Sequence, residues 1–447
     1  MKRLTCLLAC MLVMGLAVSA HAELKGVEIG GSIRVRAEKF DNTAFNKNLS
    51  GDDFVSQRTR VNFTADFTDD VGGFIELQSY EVWGDDFRDD KTPGLMPNHF
   101  GGIGTFVPDD SGDVEIYQAY IEAKDVGGYP VDIKIGRQEL VYGTQWLIGN
   151  DHFYGGLTFD AAKAVLKLED YDLQVDLWVS KIADLRALED DCDMDFYGVY
   201  GTYTGLEPLT IEAYWLFLRG AEVAGLRDLD QNTFGARVAG EYEVGPGVLD
   251  FNAEAAGQLG DARWPLAGPA NFAGNVDYEA MGADIGLGYM LPDMAWMPRF
   301  GFNFTYSSGD EDPFDDEFGT FMFPFSNNHA RYGLFDVLSL GNLYTFRGVV
   351  TACPVDKLTI LTQYLYSFAD EEVDWFAPLV GIGRTDDNVV EEIDLAAIYQ
   401  YTEDLQFMVG GGVAFAHGLL SDAEYIDQSV GNNDNCYRVV AQAELTF

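Results

Sequence analysis

At 447 residues and a net charge of −45, the chain excludes nucleic acid or any extended polyanion held by bulk charge, because its own field repels them. It is 47% hydrophobic and 14% aromatic with 49 glycines, yet beyond the N-terminal leader no run of about 18 apolar residues occurs, so no transmembrane helix is expected. The five cysteines lack metal-ligand spacing, the histidines are isolated, and no nucleophile elbow, zinc motif or phosphate loop is present. Neither an enzyme nor a bound cofactor has support in these residues.

In chain order, Lys2 and Arg3 precede an apolar run from Leu4 to Val18 and then Ala20-His21-Ala22. That layout predicts a secretory signal peptide over 1–22, leaving 23–447 as one domain. From residue 27 onward about eighteen segments alternate apolar and polar side chains, each of the length a tilted strand needs to cross a bilayer. They lie near 27–40, 56–68, 72–83, 113–124, 130–137, 157–168, 171–182, 194–204, 209–218, 232–243, 248–259, 277–290, 298–308, 343–352, 357–368, 390–401, 404–416 and 436–447. Short connections such as 69–71, 125–129 and 245–247 alternate with long ones at 41–55, 84–112, 138–156, 183–193, 219–231, 260–276, 309–342, 369–389 and 417–435.

This alternation predicts an all-β fold: a transmembrane antiparallel up-and-down β-barrel of about eighteen strands, with short periplasmic turns and long extracellular loops. A soluble sandwich or solenoid would show strands at about 8 to 12 residue spacing or a fixed repeat, and the chain has neither. The expected setting is the outer membrane of a Gram-negative-type cell, in contact with lipid and lipopolysaccharide. Aromatic residues near strand ends (Phe63 and Phe67, Tyr399 and Tyr401) fit interfacial girdles. The last strand closes on Phe447, with Tyr437, Val439, Ala441, Ala443 and Leu445 sharing its face.

Projection of the inward faces separates the charges. Arg34, Arg36, Arg58, Arg60 and Arg438 form a predicted basic wall. Asp172, Asp176, Glu212, Glu241, Asp250, Glu254, Asp284, Glu392 and Asp394 form an acidic one, nearly alone apart from Arg237. Opposed walls would set a field across a pore and, with the acidic excess, favour cations. The simpler reading pairs these charges with neighbouring strands, with Glu38 and Asp66 placed to meet the arginines.

Residues 131–169 form a hairpin with a long loop: Val131, Ile133 and Ile135 alternate with Asp132 and Lys134, and Ala164, Leu166 and Leu168 mark the return. Within it stand Ile135-Gly136-Arg137-Gln138-Glu139-Leu140-Val141-Tyr142-Gly143, then Gln145-Trp146-Leu147-Ile148-Gly149, then Phe159-Asp160. This stretch resembles the signature of the alginate export family of outer-membrane barrels. The resemblance implies an eighteen-stranded barrel and a channel for oligo- or polysaccharide. Arg137, Gln138, Glu139, Tyr142 and Asp160 carry the motif. Two departures stand out: where the family pattern tends to carry arginine after the Gln and again before the Phe-Asp, this chain has Trp146 and Leu157-Thr158. A passing carboxylate needs such arginines to replace its lost water. The fold can therefore carry over without alginate. The motif cluster at the strand end either fixes a loop folded into the lumen, with Gly136 and Gly143 allowing the bend, or touches solute.

Acidic runs fall in the long loops: Asp85 to Asp90, Glu189 to Asp193, Asp310 to Glu317, and Asp370 to Asp374. They are solvated faces by composition and could bind Ca2+ or Mg2+ shared with lipopolysaccharide phosphates. Residues 318–325, rich in Phe, are expected to fold inward or to an interface, since exposed they would aggregate. The function expected is a porin-like channel for small hydrophilic solutes or saccharide. The alternative is a barrel scaffold whose lumen is occupied by a partner protein.

Overall fold

Alternation of side chains along each segment sends polar residues to one face and apolar residues to the other, and the computed structural model shows where each face goes. It describes residues 25–42, 52–83, 114–184, 193–223, 226–263, 275–311, 316–323, 325–327, 329, 331–335, 341–371, 388–417 and 435–447. The predicted signal peptide, Cys192, the 84–112 loop and most of the acidic runs lie outside them.

The chain forms a single closed antiparallel barrel of β1 (Gly26–Asp41), β2 (Asp52–Asp66), β3 (Val71–Val82), β4 (Glu115–Ala123), β5 (Val131–Gln138), β6 (Phe159–Leu168), β7 (Leu173–Asp184), β8 (Asp193–Leu206), β9 (Leu209–Val223), β10 (Leu226–Val244), β11 (Gly247–Arg263), β12 (Asn275–Met290), β13 (Arg299–Ser307), β15 (Leu343–Val355), β16 (Leu358–Ala369), β17 (Asn388–Gln400), β18 (Leu405–Ala416) and β19 (Cys436–Thr446), with the two-residue β14 (Glu317–Phe318) set parallel against β12. These are eighteen wall strands, as predicted. Closure is made by β1 on β19, from Ser32 opposite Thr446 to Asp41 opposite Tyr437. The ends seal it: the Gly31 amide donates to the Phe447 carbonyl (2.9 Å) and the Phe447 amide to the Gly31 carbonyl (3.0 Å).

The barrel is apolar outside and polar inside, the reverse of a soluble protein. Ile29 is 64% exposed and Leu395 59%, whereas Arg36 is 2% and Arg438 1% exposed. Hydrocarbon is the solvent for which such an exterior is stable, and closure satisfies every edge amide that lipid could not. Short turns connect β2 to β3, β4 to β5, β6 to β7, β8 to β9, β10 to β11, β12 to β13, β15 to β16 and β17 to β18, on the end where both termini lie.

Two expectations are corrected. Residues 219–231 were expected to form a long loop, but β9 and β10 run on to Val223 and from Leu226. Register shifts between Leu226 and Gln231, with Gly220 and Asp228 at φ 69° and 51°, break the period-two pattern that marks a strand. Asp172 does not open β7. It sits in the turn before it with left-handed backbone (φ 50°) and is exposed, so it does not belong to a lumen wall.

The apolar core lies in the lumen, not between layers. Leu140, Trp146, Leu147, Ile148, Leu157 and Phe159, from the connection between β5 and β6, pack with Phe318, Phe321, Met322, Phe323 and Phe325, from the connection between β13 and β15. Inward residues of the wall complete it, among them Trp178, Phe196, Tyr214 and Tyr278.

Candidate functional site

Two loops close the lumen, and the charged walls hold them. The connection after β5 begins at the Gly136 bend, where φ is 131° and a Cβ would lie 2.2 Å from the Ala119 carbonyl oxygen. Only glycine fits that approach. Residues 139–158 then fold inward.

The basic wall binds this loop through its backbone. The His152 carbonyl accepts from Arg34 (2.7 Å) and Arg58 (2.8 Å), and the Tyr154 carbonyl from the same two guanidiniums (2.8 and 3.1 Å). Arg60 donates to the Gly155 carbonyl at 2.9 Å, to Gln78 at 2.7 Å, and lies over the Tyr117 ring at 3.7 Å. Arg36 donates to Gln442 at 2.8 Å and covers the Phe153 ring at 3.8 Å. Arg438 pairs with Glu38, donates to the Leu334 carbonyl of the other loop and faces the Phe40 ring at 4.5 Å. Arg34 and Arg58 are direct cross-strand partners, a pairing that like charge disfavours. Two shared carbonyl oxygens between them offset that repulsion. Gly156 (φ 99°) makes the approach possible, since a Cβ there would stand 2.4 Å from the Arg60 guanidinium.

The acidic wall binds the opposite side of the same plug. Asp176 accepts from Tyr142 (2.8 Å) and Lys163 (3.4 Å). Asp284 accepts from Thr305 (3.0 Å) and from Arg331 (3.2 and 3.3 Å) of the second loop. Glu392 takes the Leu334 and Phe335 amides, and Asp394 takes Leu334 (3.2 Å) and Gln363 (2.7 Å). Glu212 pairs with Arg237, Glu254 accepts from Tyr214 (2.7 Å), and Asp250 is held by Arg299 (2.6 and 3.0 Å). Glu241 lies exposed at the short-turn end of β10.

The loops also bond to each other. The Gly149 amide donates to the Phe325 carbonyl (2.8 Å) and the Asn327 amide to the Gln145 carbonyl (3.0 Å). Trp146 stacks on Phe321 with centroids 5.6 Å apart and meets Phe323 edge-on, while Phe153 stacks on His329. The prediction that 318–325 folds inward or to an interface is realised as inward packing.

Motif residues divide between faces. Gln138 is buried and donates to the Ala161 carbonyl (3.1 Å). Glu139 accepts from Tyr117 (2.7 Å) and Asn150 (3.1 Å) and bonds His152 (2.7 Å). Burial opposes its ionisation, but the His152, Asn150 and Tyr117 contacts outweigh that and hold its carboxyl down at about 2. Arg137 and Asp160, by contrast, pair at 2.8 and 2.9 Å on the outward face, so neither touches the lumen.

The alginate export profile matches residues 26–422, all but the last strand of the barrel. The chain belongs to the alginate export family. No curated protein matches its sequence. Solved structures share the fold. OccAB1 of Acinetobacter baumannii superposes with a TM-score of 0.60 at 11% identity, over 96% of this chain and 100% of that one. OprD of Pseudomonas aeruginosa gives 0.55 at 15% over 96% and 99%, and OpdK of the same organism with vanillate gives 0.57 at 13% over 94% and 99%.

In this alginate export barrel the two positions expected from the motif to carry arginine are apolar and enter the plug: Trp146 is 1% exposed at the centre of the aromatic cluster, and Leu157 joins the same core. Sequence projection missed Arg299, Arg331 and Arg347. Arg299 shares the inward parity of Thr305 and Ser307 on β13, and Arg347 that of Thr345 on β15, so strand parity could have found both. Arg331 lies in a loop with no periodicity and gave no signal.

Proposed function

We propose that this member of the alginate export family is a plugged outer-membrane porin that passes small hydrophilic solutes, neutral or cationic ahead of anionic, and that it does not conduct a polyanion in this state. One observation carries the reading: the guanidiniums of Arg34, Arg58 and Arg60, which a passing carboxylate would need, are bonded to carbonyls of 152–155. A carboxylate would have to displace charge-assisted bonds worth about 1.5–3 kcal/mol each. On the opposite wall Asp176, Glu212, Asp250 and Asp284 are matched by Lys163, Arg237, Arg299 and Arg331, so the bias of any open path toward cations rests on the acidic excess of the whole chain, a net charge of −45.

The family is described by alginate export, and the solved neighbours share the barrel fold. The OpdK structure holds vanillate, a small molecule, which supports the size class more than the charge. A partner protein filling the lumen has less support, because segment 139–158 and the described residues of the β13–β15 connection, Phe321 to Phe323, Phe325 and Arg331 to Phe335 among them, take that space.

Single-channel recording of the refolded mature protein in a salt gradient tests the reading. Small conductance with a reversal potential favouring the cation, and no block by alginate, is expected. Anion preference with alginate block overturns it and returns the arginines to a solute-facing role.

A further inference from the structure

On the outward face, Arg137, Asp160, Lys181, Asp195 and Arg219 stand in direct cross-strand register across β5 to β9. Their chain neighbours Gln138, Phe159, Ser180, Phe196 and Leu218 are the buried, inward ones, so this row of alternating sign faces away from the lumen. Charged side chains on a lipid face cannot lie in hydrocarbon, so the row marks the upper limit of the apolar band on this flank. It carries three cations against two carboxylates. Further round the same rim the outward positions include Asp261, Asp277 and Glu279 on β11 and β12 and, across the barrel, Glu391 on β17. Among the described residues Lys39 and Arg263 are outward rim cations elsewhere, each standing singly on its strand, whereas this flank sets three in one cross-strand row.

Directly below the row the outer wall is hollow. A groove of about 660 Å³ has Ala162 and Ala164 as its floor, Val179, Tyr197, Trp215 and Phe217 as its sides, and Arg219 among its lining residues. Tyr197 and Phe217 stack at 6.0 Å and Trp215 and Phe217 at 6.2 Å, which makes these sides rigid. The small residues let an apolar chain approach the strand backbone, and the lining between them and Arg219 is mostly apolar.

We propose that this flank binds one lipid A molecule, with an acyl chain in the groove and its phosphates on the row of Arg137, Lys181 and Arg219. The three cations recur at every second strand, about 10 Å apart by strand spacing. That matches a headgroup carrying two separated phosphates better than a phospholipid carrying one. Arg137 spends its Nε and one Nη2 donor on Asp160, and Lys181 contacts Asp195 at 2.7 Å, so the phosphates take the N–H donors that these pairs leave, together with those of Arg219, while the carboxylates hold the side chains extended along the row. The inference rests on the outer-membrane reading of the barrel but not on its selectivity.

Native mass spectrometry of the detergent-solubilised protein, titrated separately with diphosphoryl lipid A, monophosphoryl lipid A and phosphatidylglycerol, tests it. One diphosphoryl lipid A is expected to be retained about tenfold more tightly than either of the others. The double variant Lys181→Ala, Arg219→Ala should lose that preference, and Ala164→Phe, which fills the groove while keeping the charges, should weaken retention of all acylated ligands. Lys39→Ala, an outward rim cation on β1 outside the row, serves as the unchanged control. Heat-modifiable gel mobility shows that each variant is folded. Equal retention of the three lipids, or undiminished preference in the double variant, overturns the proposal. Conductance of the same preparations separates its failure from failure of the porin reading.

Discussion

Trp146 holds together what two loops would otherwise leave as separate segments. Its indole is buried against Phe321 and Phe323, and its Nε1 has no hydrogen-bond partner among the described residues. Packing therefore outweighs the cost of an unsatisfied donor, which is about 1–3 kcal/mol. Trp146→Ala removes that packing, at about 3–5 kcal/mol for a buried aromatic, while touching no wall strand. Single-channel conductance is expected to rise severalfold with heat-modifiable mobility intact; unchanged conductance would show that the path runs elsewhere. Glu139 gives a second test at this scale. Its carboxyl is held at about 2 against an ordinary 4.5, so its contribution of about 3 kcal/mol is fully present above pH 4.5 and is lost as pH falls toward 2. Hydrogen exchange of 139–156 should stay slow at neutral pH and accelerate through that acid window, and Glu139→Gln should show the fast exchange already at pH 7.

The β5–β6 loop is clamped as an element, which makes single substitutions poor reporters. Arg34 and Arg58 each reach the same two carbonyls. Removing either leaves both oxygens bonded and relieves the repulsion between the pair. Arg34→Ala and Arg58→Ala alone are expected to change exchange of 150–156 little, and the double variant by far more than their sum, a coupling of about 1–3 kcal/mol. Additive effects would mean that the two arginines act independently. How far the element was legible in sequence follows from the same chemistry. Strand parity placed Arg34, Arg36, Arg58, Arg60 and Arg438 on one inward face, because period-two alternation is local. It could not say that their partners are backbone carbonyls of residues about 100 positions away, because every loop has carbonyls and none is marked. Parity also failed at 219–231, where bulges reset the register, and at Asp172, where a left-handed turn precedes the strand. Trp146 was visible as a departure from the family pattern, but its meaning needed Phe321 and Phe323 beside it.

For the whole molecule, the wall and the plug are separable structures with opposite charge consequences. β13 pairs with β15 from Arg299 opposite Thr351 to Ser307 opposite Leu343 without help from the intervening loop. Barrel closure therefore does not depend on 319–335. That segment brings Arg331 to Asp284 and the Leu334 and Phe335 amides to Glu392 and Asp394, so it supplies one cation and amide donors to three acidic wall positions while it packs into the lumen. The other loop keeps its own arginine anchors. Replacing 319–340 with a short Gly-Ser bridge should leave refolding and heat-modifiable mobility unchanged. Two effects then add: the lumen widens, and Asp284, Glu392 and Asp394 face water without their partners while one cation is lost. Conductance is expected to rise, and the reversal potential in a salt gradient to move further toward the cation than in the intact protein. A shift toward chloride would mean that the basic wall, released from the carbonyls it now holds, governs passage once the plug loosens.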